Sequence, residues 1–193
     1  RKRDSAHATC GWTLPANRKP FTVMISVEFR DLAISDLPDE LRDLLFYWHE
    51  IRHERLAPAW QDFDMMKIPA QHLPLTMVKD VEKEPHAYRY RFYGTGFVRL
   101  NSKDLTGKTT DDIAMPTFAQ ALRVSLDDFV KQDEPRFYEV KFLHRYHDHV
   151  GQHLFRLPLS DDGATINRVV AIAVKHLDLQ HYHDLIEAEE GNP

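Results

Sequence analysis

The stretch Ile166 to Val174, INRVVAIAV, constrains the fold more than any other. It alternates as a strand does, with Val170, Ile172 and Val174 on one face and Ala171 and Ala173 on the other. A strand that is apolar on both faces has to be covered on both sides. The chain therefore needs a sheet with a layer above and a layer below. Those layers come from helical segments elsewhere in the chain, or from a partner subunit.

Two segments have the period of amphipathic helices. The first is expected over residues 37–57, with Asp36 as N-cap and Pro38 in the first turn, and Leu41, Leu44, Leu45, Trp48, Ile51 and Leu56 near one stripe. The second starts after Thr117 and buries Phe118, Leu122, Ser125, Leu126, Phe129 and Val130. Around them the strands are expected at Leu73–Val81, at Tyr88–Tyr93, and in a closing set in which Tyr138, Val140, Phe142 and His144 share a face. After a turn at Asp148–Gly151, His153, Phe155 and Leu157 alternate with Leu154 and Arg156. Asp161-Asp162-Gly163 signals a further hairpin turn.

The strand at Tyr88 sets Tyr88, Tyr90 and Phe92 against Arg89, Arg91 and Tyr93, so an aromatic face opposes one with two guanidinium groups. Gly94 and Gly96 follow, read as positions where the backbone takes angles a side chain forbids. Phe21–Phe29 has the composition of a short strand or an extended docking segment.

At 193 residues the chain is long enough for one domain with extensions. We divide it into a flexible arm over 1–20, a domain over 21–176, and a short C-terminal helix and tail over 177–193. The net charge of −5 argues against a general nucleic-acid binder, and no run of about 18 apolar residues suggests a membrane span. The single cysteine, Cys10, forms no internal disulfide, and a cytoplasmic protein is expected.

Catalytic signatures are missing from the sequence. Gly94-Thr95-Gly96 lacks the length and the Lys-Ser/Thr ending of a phosphate loop, and no nucleophile elbow occurs. Asp111-Asp112, Asp127-Asp128 and Asp161-Asp162 are accounted for by caps, a solvated helix face and a turn. No enzymatic activity is expected. Among the twelve histidines, His147 and His149 would share a face of an extended segment, which makes them weak metal candidates; exposed hairpin histidines are the simpler reading, and no metal site is expected.

Several motifs occur in a telling order. Trp48-x-x-x-Arg52 is followed by Leu56-x-Pro58, Leu73-Pro74, Arg91-x-x-Gly94-Thr95, Asp104-x-Thr106-Gly107, and Leu157-Pro158-Leu159-Ser160-x-Asp162-Gly163. This order resembles a bacterial, mostly proteobacterial, subfamily of stand-alone PAS sensor domains, over roughly Leu41 to Val174. The resemblance implies an α/β (α+β) fold: a five-stranded antiparallel sheet, with short helices and one long helix on one face and an extra N-terminal helix.

It also implies a sensory module that binds a small molecule and signals by contact with a separate protein. The pocket residues expected on this basis are Trp48, Arg52, Tyr88, Tyr90, Arg91, Phe92, Gly94, Thr95, Thr106, Phe129, Phe155 and Leu157. Arg91 is either a carboxylate or phosphate anchor or a structural ion pair. The alternatives are a ligand-free homodimeric interaction module and a sensor bearing haem or flavin. No cofactor is required by the sequence, and a homodimer is expected.

Overall fold

The structure, a computed structural model, describes residues 25–84, 86–144 and 147–175, together with Glu187. The arm expected over 1–20 and nearly all of the C-terminal segment expected over 177–193 lie outside the described residues, as do the side chains of His144, His147 and His149.

The chain builds one antiparallel sheet: β1 (Ile25–Leu32), β2 (Thr76–Lys83), β3 (His86–Tyr93), β4 (Arg136–His144), β5 (His147–Leu159) and β6 (Arg168–Lys175), in the order β1-β4-β5-β6-β2-β3. Among the described residues the sheet has six strands where five were expected. The sixth is β1, which pairs with β4 along its whole length, from Ile25 opposite His144 to Leu32 opposite Phe137.

Strand β6 sits inside the sheet between β5 and β2, as its two apolar faces require. Its alanine face looks toward α2 (Thr95–Asn101) and α3 (Pro116–Phe129), where Ala171 and Ala173 join Tyr88, Tyr90, Phe97, Phe118 and Phe129 in one core. Its bulky face looks toward α1 (Asp39–Arg52), where Val170 and Ile172 pack with Leu41, Leu44, Trp48, Phe155 and Leu157 in a second. The helices thus occupy both faces of the sheet, and among the described residues α1 is the one α-helix on its side, joined there by 3-10 turns over residues 60–67.

Helix α1 is shorter than the expected 37–57. Asp36 belongs to a preceding 3-10 turn, and the helix ends where His53 takes φ 52°. Helix α3 carries Pro at its first position, where the missing N–H costs nothing. The turn expected at Asp148–Gly151 is absent, because β5 already runs through those residues. Gly151 serves packing instead: a Cβ there would lie 2.2 Å from the Phe142 ring.

The alternation expected for β3 also breaks. Pairing runs Met77–Tyr93, Val78–Phe92 and then Lys79–Tyr90, so Arg91 is the extra residue of a β-bulge. Beyond it the parity reverses: Tyr93 is buried beside Tyr90, and Phe92 turns to solvent.

Candidate functional site

Between the sheet and α2–α3 lies a cavity of about 40 Å³. Its floor is sheet: Met77 and Lys79 of β2, Tyr90 and Tyr93 of β3, Phe142 of β4, Gln152, Leu154 and Arg156 of β5, and Ala171 of β6. Its roof is Phe97, Leu100 and Asn101 from α2, Ile113, and Phe118 and Leu122 from α3. The alanine face of β6 creates the room, since a larger side chain at 171 would fill it. The space holds a few water molecules, at roughly 10–15 Å³ each. An open groove of about 710 Å³, lined by Val27, Phe29, Gln120 and Val124 among others, runs between β1 and α3.

Two cations are sealed into this apolar site. Lys79 is 1% exposed and Arg156 is fully buried. The Lys79 ammonium lies 4.8 Å from the Tyr90 ring centre and 3.8 Å from Met77 Sδ. Burial, and then the nearby Arg156, pull its pKa from 10.5 to about 7. Arg156 is held among rings, its Cζ 4.7 Å from Tyr138, 5.0 Å from Phe29 and 5.8 Å from Phe129. Its Nη1 donates to Ser125 Oγ at 2.8 Å, whereas Nε and Nη2 are buried with no hydrogen-bond partner. Burial lowers its pKa to about 10. Among the described residues, no carboxylate lies within ion-pair distance of either cation.

The residues singled out from sequence divide four ways. Tyr90 lines the cavity. Tyr88 and Phe129 are buried in the surrounding core, and Phe129 lies against Arg156. The Tyr88 hydroxyl donates to Asp127 Oδ1 at 2.7 Å, and burial followed by that bond pushes its pKa up. Trp48, Arg52, Phe155 and Leu157 lie on the α1 side. Trp48 Nε1 donates to the Pro158 carbonyl at 2.8 Å, and Arg52 stacks 5.3 Å from the Trp48 ring and pairs with Glu134 at 2.6 Å.

Arg91 forms a two-point pair with Asp80, 2.9 Å for each contact, on the outer side of β3. Phe92 and Thr95 are exposed; Thr106 is exposed and accepts the turn geometry set by Asp104 Oδ1, to which its N–H and hydroxyl donate at 2.8 and 2.7 Å. Gly94 has ordinary angles, φ −59° and ψ 146°, which corrects the reading of it as a conformational glycine. It is needed because a Cβ would stand 2.3 Å from the Pro74 carbonyl oxygen. Among the described residues, no group of three His, Cys, Asp or Glu side chains is placed to hold a metal ion.

Sequence reasoning missed every lining residue except Tyr90, and among those missed are the two cations, Lys79 and Arg156. Each shares the parity of an apolar residue two places away, Met77 and Leu154, and that was the available signal.

The motif residues meet one another at backbone crossings. Ser160 N donates to Pro58 O at 2.8 Å, and Leu56 N to Gly163 O at 3.3 Å, so the Leu-x-Pro segment closes on the 157–163 loop beside Trp48. Gly94 N donates to Thr76 O at 2.9 Å, and Gly107 N to Tyr90 O at 2.7 Å. The family model described as PAS domain matches residues 38–174, well over half of the chain. The chain belongs to the PAS domain family. Its matched region runs from α1 to β6, so α1 lies within it and β1 outside. Among curated proteins and solved structures, none matches the chain. The PAS assignment suggests a sensory or regulatory module, and PAS domains are typically sensory rather than catalytic. No helix among the described residues is long and apolar enough to cross a membrane.

Proposed function

We propose that this PAS domain is a regulatory module that takes a small ligand between its sheet and α2–α3 and signals through a contact with another protein. The observation that carries the reading is the cavity, placed over the small face of β6 and lined by aromatic and aliphatic side chains with a few polar groups, which is the usual make-up of a ligand site. Drug-sized ligands need roughly 300–1,000 Å³. The cavity of about 40 Å³ therefore opens on binding, by movement of Phe118, Leu122 or α2, and that opening supplies the conformational change a sensor needs. A haem or flavin would require the helices to part further still. Native mass spectrometry of the purified protein, with an absorbance spectrum, tests the reading. A bound mass lost on denaturation, and absent from Ala171→Leu, is expected. An apo mass together with no thermal stabilisation by any compound of a broad library overturns it.

A second reading is a ligand-free homodimeric interaction module, favoured by how completely Tyr93, Phe97, Phe118 and Phe142 fill their own pocket. Trp48 is buried within the subunit, so Phe46, 67% exposed on the outer side of α1, is the side chain a second copy would cover. In that reading Phe46→Glu dissociates a dimer seen by light scattering and no compound stabilises the protein; a wild-type monomer refutes it.

A further inference from the structure

We infer that the ligand of the α2–α3 cavity is a monocarboxylic acid with a compact apolar body, its carboxylate paired with Arg156 beside the Lys79 amine. The inference rests on the pocket reading above and adds the chemistry of its ligand.

Buried charges are paired or hydrogen-bonded in folded proteins, because an isolated one is costly. Here two cations share one apolar cavity and neither has a carboxylate among the described residues. The rings of Tyr138, Phe29 and Tyr90 soften the cost, but a ring face is a weaker partner than a carboxylate. The atoms left over are also the right ones. Nε and Nη2 form one edge of a guanidinium, the edge that matches the two oxygens of a carboxylate.

This chain uses that edge elsewhere. Arg89 Nε and Nη2 hold the two oxygens of Glu82 at 2.5 and 3.0 Å, and Arg91 presents the same two nitrogens to Asp80. In Arg156 the identical edge is buried and makes no hydrogen bond of good geometry, its strongest polar influence being the nearby Tyr138 hydroxyl, while Nη1 is tied to Ser125 and fixes the plane of the group. Gln152, which also lines the cavity, has a buried Oε1 without a partner, so the cavity offers polar recognition at more than one point.

Beyond the cations the lining is Phe97, Leu100, Ile113, Phe118, Leu122 and Phe142, which suits an aromatic ring or a short aliphatic chain. A monocarboxylate matches the Arg156 edge with Lys79 neutral, the form that burial favours, whereas a dianion is balanced only if Lys79 keeps its proton against that burial. The net charge of the bound state is zero for a monocarboxylate with Lys79 neutral, and +1 with Lys79 protonated.

The test measures thermal stabilisation of the whole protein by benzoate and hexanoate against their neutral counterparts benzamide and hexanamide, each up to about 10 mM. At least one acid is expected to raise Tm in a saturable way, with its amide at least about tenfold weaker, a factor within reach of one charge-assisted contact pair. Arg156→Lys keeps the charge but loses the two-nitrogen edge, and it should weaken the acid by about tenfold or more. Lys79→Met provides a second variant if Arg156→Lys does not fold, and it should weaken the acid while leaving the amide unchanged. Equal stabilisation by acid and amide, unaffected by either variant but lost in Ala171→Leu, overturns the acid assignment and leaves the pocket reading standing. No stabilisation by any of the four compounds overturns the acid assignment. The broad library and native mass spectrometry described above then decide separately whether the pocket reading falls with it.

Discussion

Replacing Lys79 by Met should make the ligand-free protein more stable, and by an amount that depends on pH in a defined direction. Lys79 is 1% exposed, and burial lowers its pKa from 10.5 to about 7. In the unfolded chain the amine keeps its proton until pH approaches 10.5, while in the folded chain it releases it near 7. Between those values the unfolded state binds more protons, so wild-type stability rises with pH. The contribution is fully realised above the unfolded pKa and is lost as pH falls through the folded one.

At about 1.36 kcal/mol for each pH unit, the whole penalty for the charged form is on the order of 5 kcal/mol. Between pH of about 7 and 9 the wild type should recover about 2 kcal/mol of it. Methionine carries no proton, so the stability gap between Lys79→Met and wild type should be widest near or below pH 7 and should narrow by that amount. Other titrating groups are common to both proteins and cancel in the difference. Urea unfolding at a series of pH values reads the gap directly, and in thermal melts it should close by about 4–8 °C. A gap that stays constant with pH would mean that Lys79 does not change protonation on folding. A variant less stable than wild type throughout would mean that the Tyr90 ring and Met77 sulfur outweigh the desolvation. Either result refutes the reasoning.

Gly94→Ala should cost about 2 kcal/mol or more, because its Cβ meets the Pro74 carbonyl at 2.3 Å, whereas Gly107→Ala, open around its Cβ but at φ 77°, should cost about 1 kcal/mol; chemical denaturation of the two distinguishes crowding from backbone conformation. Trp48→Phe should lose about 1–3 kcal/mol, since it leaves the Pro158 carbonyl without the indole N–H, and Trp48→Ala about 3–5 kcal/mol through the added cavity; the same denaturation series ranks them. Asp162 accepts hydrogen bonds from the Thr165 hydroxyl, the Ala164 and Thr165 amides and the Ser160 hydroxyl, which hold its carboxyl well below the usual range. An NMR titration should find it still ionised at a pH of about 3, and its contribution to the 160–165 loop lost only in stronger acid.

The layers of the fold were legible because they follow from periodicity. The two-faced pattern of β6 demanded covers on both sides, and the stripes of α1 and α3 supplied them. The bulge at Arg91 was not legible, because an extra residue leaves no mark in an alternating sequence until the partner strand is known. That one residue sends Phe92 outward and brings Tyr93 in. The cavity cations were hidden for a different reason. A lysine or arginine in a strand is ordinarily taken to face water, and only parity with Met77 and Leu154 argues otherwise. The order of the motifs pointed to the PAS family, and the structure places Gly94, Pro58 and Gly163 where the backbone meets other segments. Of the cavity lining the motifs gave Tyr90 only by proximity, since small or rigid residues fix chain crossings while the residues around a cavity need only be the right size.

Strand β5 carries the consequence furthest. Arg156 stands on the cavity side of the sheet, and two residues on, the Pro158 carbonyl receives the indole of α1. Along an extended chain that separation is about 7 Å. The wall between the cavity and the outer helix is therefore a single layer of sheet, and the backbone stations of Arg156 and Pro158 lie closer together than a helix is wide.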